Sequence, residues 1–370
     1  MSQSAFPVEL MNEIFRSSEL KPRHLARCCL LSRRYLRVAR QWLYREIRVD
    51  LIRSKPKHGE RIEPAIQYKK STWRLLQTLN GNAELQGFVR DVTYGAFHKH
   101  RSGIWTLPSH AFHNFFALTP NVRRLYFDQE ELIDTLWPIT ILGEATVAQL
   151  ARIEAIYIGE LTVDAAQILL KFKGLKRLSF WVGEDAPNSW EFKVPSGLQS
   201  VYISVLSNLN LSYTLRPSTD TLTRLYIPLR AFLTLKYTDY PALKHLSVQL
   251  EMTHVTVEEV DDASETWSSF SQSSLQTLAF DGQLLDTELE DRIFGGGQLF
   301  LRKAPPTLRR IEFLEAVSLD RLYEMCKYEC FEEVAISNGA IGSLKAELVS
   351  AMCEASNKRF FSYTCANDLK

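Results

Sequence analysis

No apolar run in this 370-residue chain approaches the roughly 18 residues that a membrane helix needs, so no membrane contact is expected. The N-terminus, MSQSAFPVEL, lacks the apolar core of a secretory signal, which points to an intracellular protein, cytoplasmic or nuclear. Cysteine is scarce. The six, Cys28, Cys29, Cys326, Cys330, Cys353 and Cys365, are too few and too uneven for a disulfide framework and read as reduced thiols. A net charge of +1 removes any whole-chain argument for nucleic acid as a partner. Catalytic signatures are missing as well: there is no Gly-x-Ser-x-Gly elbow, His-Glu-x-x-His helix or Gly-x-Gly-x-x-Gly loop. Gly295-Gly296-Gly297 has no Lys-Ser/Thr after it and reads as a turn. His98, His100, His110 and His113 stand among Gly, Ser and Lys without a cysteine, which suits a solvated insertion better than a metal site. Cys326 and Cys330, four apart on an expected helix, have no second pair and read as packing thiols. The expectation is a protein without metal or cofactor and without catalysis. Asn210-Leu-Ser212 matches a glycosylation sequon, of no consequence without a signal peptide.

What the chain does contain is a core's worth of apolar residues, 45%, and a phrase that repeats. In Leu175-Lys-Arg-Leu178-Ser-Phe180 apolar residues occupy the first, fourth and sixth places, as in a short strand entered from a turn. The pattern recurs at Val89/Val92/Tyr94, Val122/Leu125/Phe127, Ile153/Ile156/Ile158, Leu222/Leu225/Ile227 and Leu308/Ile311/Phe313 among others, ten copies in all. Weaker copies stand at Tyr44/Ile47/Val49 and Phe360/Tyr363/Cys365. Successive copies lie 21 to 33 residues apart, irregular leucine-rich-repeat spacing. Helical returns read at Ala148 to Ile153, Asp164 to Phe172, Glu288 to Phe294, Leu319 to Tyr328 and Ile341 to Ala355, whereas Asn208 to Asp220 is too broken for a long helix. The acidic stretch Glu258 to Glu265 reads as a mobile loop. The Asn or Cys of an ideal repeat turn is replaced by Gly183, Leu206, Arg230, Glu251, Gln283, Ala316 and Gly339, so the turns must satisfy their backbone groups by other means.

The near-zero net charge hides a local excess. Residues 1–50 hold ten Lys/Arg against five Asp/Glu. Pro7 suits a helix's first turn, with Leu10, Ile14 and Phe15 at helical spacing; a second run carries Leu25, Cys28 and Cys29. A third run carries Leu31, Tyr35, Val38, Ala39 and Trp42, with Arg33, Arg34, Arg37 and Arg40 on opposing faces. About forty residues are too few for an independent core, so this unit should rest on a partner or on the rest of the chain. After a loop marked by Pro56, Gly59 and Pro64, Trp73, Leu76 and Leu79 form a helical stripe ending at Asn80-Gly81.

The opening Phe6-Pro7, the pairs Glu9-Leu10 and Glu13-Ile14-Phe15, the run HLARCCLLSRRY and the closing Trp42-Leu43-Tyr44-Arg45 resemble an F-box of the expanded fungal families, with Phe6 for the usual Leu and Tyr35 for the usual Trp. That resemblance implies an α/β protein in which a three-helix F-box, residues 1–50, precedes a linker with a helix, 51–88, and an irregular leucine-rich-repeat domain, 89–370. The repeats would form a curved solenoid with an inner parallel sheet and outer helices or loops. It also implies docking on the acidic Skp adaptor of a cullin-RING ubiquitin ligase through Phe6, Pro7, Leu10, Ile14, Phe15, Leu25, Cys28, Leu31, Tyr35 and Trp42. The plainer alternative for this segment is a helical cap over the first repeat.

Strand alternation supplies a second surface. If the fourth and sixth places of each phrase face the core, the fifth faces the sheet's open side: Thr93, Tyr126, Tyr157, Ser179, Tyr202, Tyr226, Ser247, Ala279, Glu312 and Ala335. Four of the first six are tyrosines, and their neighbours include Arg124, Asp128, Arg177, Trp181, Arg224 and His245. The expected target-binding set is Tyr126, Tyr157, Arg177, Trp181, Tyr202, Arg224 and Tyr226, against the alternative that tyrosine merely favours strands. The expected function is that of a substrate receptor whose partners are the adaptor and an unidentified target protein. The alternatives are a non-ligase interaction scaffold and an enzyme with no local motif.

Overall fold

The computed structural model describes residues 7–17, 20–31, 33–53, 66–98, 106–108, 115–128, 147–161, 163–182, 192–205, 210–250, 255–282, 287–294, 299–314, 319–337 and 343–363. The chain divides into two compact units, Met1–Gly159 and Glu160–Lys370. Both are α/β, and the repeated phrase builds their parallel strands.

The first unit opens with three short helices, α1 (Val8–Ser17), α2 (Pro22–Leu31) and α3 (Arg33–Leu43). Pro22 begins α2 where a missing N–H costs nothing. Phe15, Leu25, Val38 and Ala39 make a small buried cluster, walled by Met11, Leu20, Cys28, Cys29, Trp42 and Leu43. The Trp42 Nε1–H donates to Asn12 Oδ1 at 3.2 Å and ties α3 to α1.

Six strands follow: β1 (Glu46–Arg53), β2 (Ile66–Lys69), β3 (Asp91–His98), β4 (Thr106–Pro108), β5 (Arg124–Asp128) and β6 (Ala155–Glu160). The order β6-β5-β3-β1 is parallel, while β2 and β4 extend the β1 edge antiparallel. The helix Lys70–Asn80 buries Thr72, Leu76 and Leu79, the stripe expected from sequence, and the Gly81 amide closes its end on Gln77 and Leu79. Asn82 then caps the helix Ala83–Phe88, its Oδ1 accepting from Leu85 N at 3.1 Å.

Gly95 is required in β3 by what crosses it. A Cβ there would stand 2.6 Å from Arg48 Nη2 and 2.9 Å from Asp50 Oδ1. Those atoms belong to a compact polar group: Arg48 Nε donates to Asp50 Oδ1 at 2.7 Å, Lys69 Nζ lies 3.6 Å from Oδ2, and the Asp50 amide donates to Thr72 Oγ1 at 2.9 Å. Asp50 is buried, so the group cannot simply swing into water. Gly95→Val is expected to cost about 1–3 kcal/mol, read as a lower denaturation midpoint, because the ion pair must move off the strand.

The second unit holds eight strands in one all-parallel sheet that follows chain order: β7 (Arg177–Val182), β8 (Ser200–Val205), β9 (Arg224–Pro228), β10 (His245–Gln249), β11 (Thr277–Asp281), β12 (Arg310–Phe313), β13 (Glu333–Ser337) and β14 (Arg359–Tyr363). Leu178, Phe180, Leu225, Ile227, Leu246, Val248, Leu278 and Phe280 fill the core face, as alternation requires. Helical returns include Val163–Leu169, Thr287–Phe294, Leu319–Cys326 and Ser343–Ala355. Behind the sheet Phe232 is the hub of an aromatic cluster, with ring centroids 5.1 Å from Tyr237, 5.0 Å from Trp267, 5.4 Å from Phe270 and 4.9 Å from Phe300.

Each strand is hung on the segment before it by the same device. The Lys176 carbonyl accepts from both Gln199 N (2.8 Å) and Ser200 N (3.0 Å), Gln199 from Thr223 and Arg224, Thr223 from Lys244 and His245, Lys244 from Gln276 and Thr277, Gln276 from Arg309 and Arg310. Arg45, Arg90 and Arg123 do the same in the first unit. The turns, lacking an asparagine ladder, use hydroxyls. Ser218 Oγ donates to Pro195 O and accepts from Leu198 N, Thr221 Oγ1 donates to Leu198 O at 2.8 Å, and Thr307 Oγ1 donates to Leu275 O at 2.7 Å.

One expectation is overturned here. The stretch Glu258 to Glu265 is helical, spanning parts of Val257–Asp262 and Ser264–Ser271. Thr256 Oγ1 accepts from Glu259 N while Glu259 Oε2 accepts from Thr256 N, a capping box that outweighs the local acidic repulsion, and Val260, Trp267 and Phe270 anchor the inner face. Asn210 is likewise a helix cap, its Oδ1 accepting from Tyr213 N at 3.1 Å. Gly295 to Gly297 and His100, His110 and His113 lie outside the described residues.

Candidate functional site

Parallel pairing in register sets side chains on the open face of the second unit's sheet in rows. One row reads Arg177, Ser200, Arg224, His245, Thr277, Arg310, Glu333 and Arg359; the next reads Ser179, Tyr202, Tyr226, Ser247, Ala279, Glu312, Ala335 and Phe361. A third holds Trp181 and Ser204 on β7 and β8, and Gln249 and Asp281 on β10 and β11.

Tyr202 and Tyr226 stack with ring centroids 3.9 Å apart and planes 14° from parallel. The Tyr226 hydroxyl donates to Asp281 Oδ2, reaching from β9 to β11 across β10. Burial pushes the acidity of both tyrosines well above the usual phenol value, and for Tyr226 the neighbouring Tyr202 and Asp281 add to it. These rings stay neutral and act as surface and hydrogen-bond donors.

The charged row behaves differently. Arg310 Nε lies 2.7 Å from Glu312 Oε1, and Arg359 Nη2 lies 2.6 Å from Glu333 Oε1, with Arg310 Nη1 3.9 Å from Glu333. Burial lifts the Glu312 carboxyl above its usual range, and the arginines partly offset it. His245 is pushed down to about 4 by burial, reinforced by the positive charges of Arg224 and Arg310. It is a neutral imidazole at neutral pH.

The sheet face is less open than alternation alone suggested. Tyr226 is only 4% exposed, and Ser247, Ala279 and Ala335 are buried too. Alternation assigns a side chain to a face but does not say whether its neighbours lie over it. Tyr226, reaching to Asp281, crosses the small side chains of β10. Tyr226 is therefore a wall, and the accessible members of the expected set in this unit are Arg177, Trp181, Tyr202 and Arg224, all half-buried or exposed.

In the first unit Tyr126 and Tyr157 also stack, at 4.4 Å and 6°. Burial raises the Tyr126 hydroxyl to about 12 against the opposing pull of Arg124. Arg124 is already committed, bidentate to Asp91 at 2.5 and 2.6 Å.

The N-terminal set also separates by burial. Leu10 and Ile14 are 49% and 42% exposed, and Pro7 is exposed. Phe15 and Leu25 are spent inside the small cluster, while Cys28, Tyr35 and Trp42 are half-buried. Phe6 and the Leu31 side chain lie outside the described residues.

Reasoning from sequence missed Arg310, although it holds the same phrase position as Arg177 and Arg224, and missed Gln249 and Asp281. It also paired Cys326 with Cys330 by spacing, whereas Cys326 Sγ meets Cys353 Sγ at 4.0 Å from the helix Ser343–Ala355. Among the described residues no cluster of three or more metal-ligating side chains occurs, and no helix is long and apolar enough to cross a membrane. No known protein family and no curated protein matches the chain.

Proposed function

We propose that this chain is the substrate-recognition subunit of a Skp-cullin-F-box ubiquitin ligase. Its first three helices would dock the adaptor, and the repeats, an irregular leucine-rich solenoid, would hold a target protein. The chain would make and break no bond; its contribution would be proximity. The observation that carries the reading is the pairing of a sequence resemblance with two apolar side chains, Leu10 and Ile14, one turn apart and exposed on α1. Two exposed aliphatic residues on a basic helical unit suit an acidic partner with an apolar centre to its interface.

A pull-down with purified adaptor tests it. Wild-type chain is expected to be retained, and Leu10→Asp with Ile14→Asp to lose retention at least about a hundredfold, the effect of burying two unpaired charges at an interface. Because both side chains are exposed, circular dichroism of the double variant is expected to be unchanged. Absence of wild-type binding, or binding indifferent to the two aspartates, would sink the reading and leave the non-ligase scaffold in its place.

A further inference from the structure

We propose that Arg224, His245, Ser247 and Arg310 form a subsite for the carboxylate of an acidic residue in an extended target segment lying across β9 to β12. The inference rests on the target-binding role of this sheet face and names what that face takes.

The geometry is that of four adjacent parallel strands. Register puts Arg224, His245, Thr277 and Arg310 side by side, about 4.8 Å from strand to strand, with Ser247 two residues beyond His245 on the same face. The local charges do not cancel. Arg310 is paired with Glu312 and approached by Glu333, which Arg359 also engages, and Asp281 accepts from Tyr226. Arg224 is the cation of this group without an acidic partner among the described residues, and with His245 neutral the group carries a net single positive charge. An orphaned hydroxyl lies beside it: Ser247 Oγ is buried, the residue 2% exposed, and finds no hydrogen-bond partner. A buried hydroxyl without a partner is unfavourable, and an oxyanion is what it can donate to. The flanking Glu312 and Glu333 weigh against a doubly charged group, so a carboxylate fits this field better than a phosphate. Tyr202, stacked on Tyr226, offers a flat surface for the residues next to the acid.

An anion on Arg224 would relieve the repulsion that holds His245 deprotonated, so binding has a signature at a residue that need not touch the peptide. The groups facing His245 are Arg224 and Tyr226 on β9, Ser247 on its own strand, Thr277 and Asp281 on β11, and Arg310 and Glu312 on β12. Of these only Arg224 is expected to change partner.

The test follows the carbon-bound ring protons of His245 by NMR during pH titration of the full chain. The probe is a capped Ala-Ala-Glu-Ala-Ala peptide raised to saturation, with the Gln peptide as control. The glutamate peptide is expected to raise the His245 midpoint by about one pH unit, the glutamine peptide to leave it, and Arg224→Gln to abolish the response. No rise, an equal rise with the glutamine peptide, or a rise that survives Arg224→Gln would each overturn the subsite. Adaptor capture without a His245 response would remove the subsite and leave the receptor reading; a His245 response without adaptor capture would do the reverse.

Discussion

Phe232→Ala is expected to cost about 3–5 kcal/mol, the largest single-residue loss we anticipate in this protein. Phe232 is fully buried, and four aromatic rings surround it, those of Tyr237, Trp267, Phe270 and Phe300. Its neighbours cannot close over the void, because they are fixed from other directions. Trp267 Nε1 donates to Val260 O at 2.9 Å, the Tyr237 hydroxyl donates to Phe232 O, and Tyr237 N donates to Ser269 Oγ. For a unit of this size each kcal/mol lowers the melting temperature by roughly 2–4 °C, so a fall near 10 °C is the expected calorimetric result. A loss below about 1 kcal/mol would mean that the cluster repacks and is not the hub its geometry implies.

The second large effect is one of pH. An imidazole that titrates at about 4 in the folded chain and at 6.5 when unfolded takes up its proton more readily in the unfolded state. Its contribution to stability is complete above pH 6.5 and is lost as the pH falls towards 4, amounting to about 3 kcal/mol over that window. Denaturation midpoints measured across this window are therefore expected to fall, and His245→Gln is expected to flatten the decline. Carboxylates that lose their charge in acid add a slope of their own, but the histidine's share is set apart by starting near pH 6.5, above their range. If the variant and the wild type lose stability in parallel between pH 6.5 and 5, His245 is not held between Arg224 and Arg310 as described.

Much of the parallel sheet was legible because each phrase carries its own core pair. Leu225 and Ile227, or Leu278 and Phe280, need no distant information to declare a strand, and even the weak copies at Ile47 and Phe360 are strands. The antiparallel edge was not legible. Ile66–Lys69 and Thr106–Pro108 are four and three residues long, and their register is set by β1 and by each other, not by a pattern of their own. The helices over Glu258 to Glu265 were lost to a reading of charge alone, although the Thr256-x-x-Glu259 signal was there to be seen. For the site, alternation assigned faces correctly, but the cover over Ser247 and the reach of Tyr226 to Asp281 depend on side chains from three strands at once. Spacing within one strand holds no record of that.

The doubled carbonyls at the strand starts bear on how such a chain is made. Every acceptor belongs to the segment before the strand it holds: Lys176 for Gln199 and Ser200, Gln199 for Thr223 and Arg224, Thr223 for Lys244 and His245. A chain leaving the ribosome thus has each docking point in place before the next strand is synthesised, and successive docking partners are only 23, 24 and 21 residues apart in these three steps. Growth of the second unit's sheet requires no residue not yet translated, so assembly can keep pace with synthesis, strand by strand.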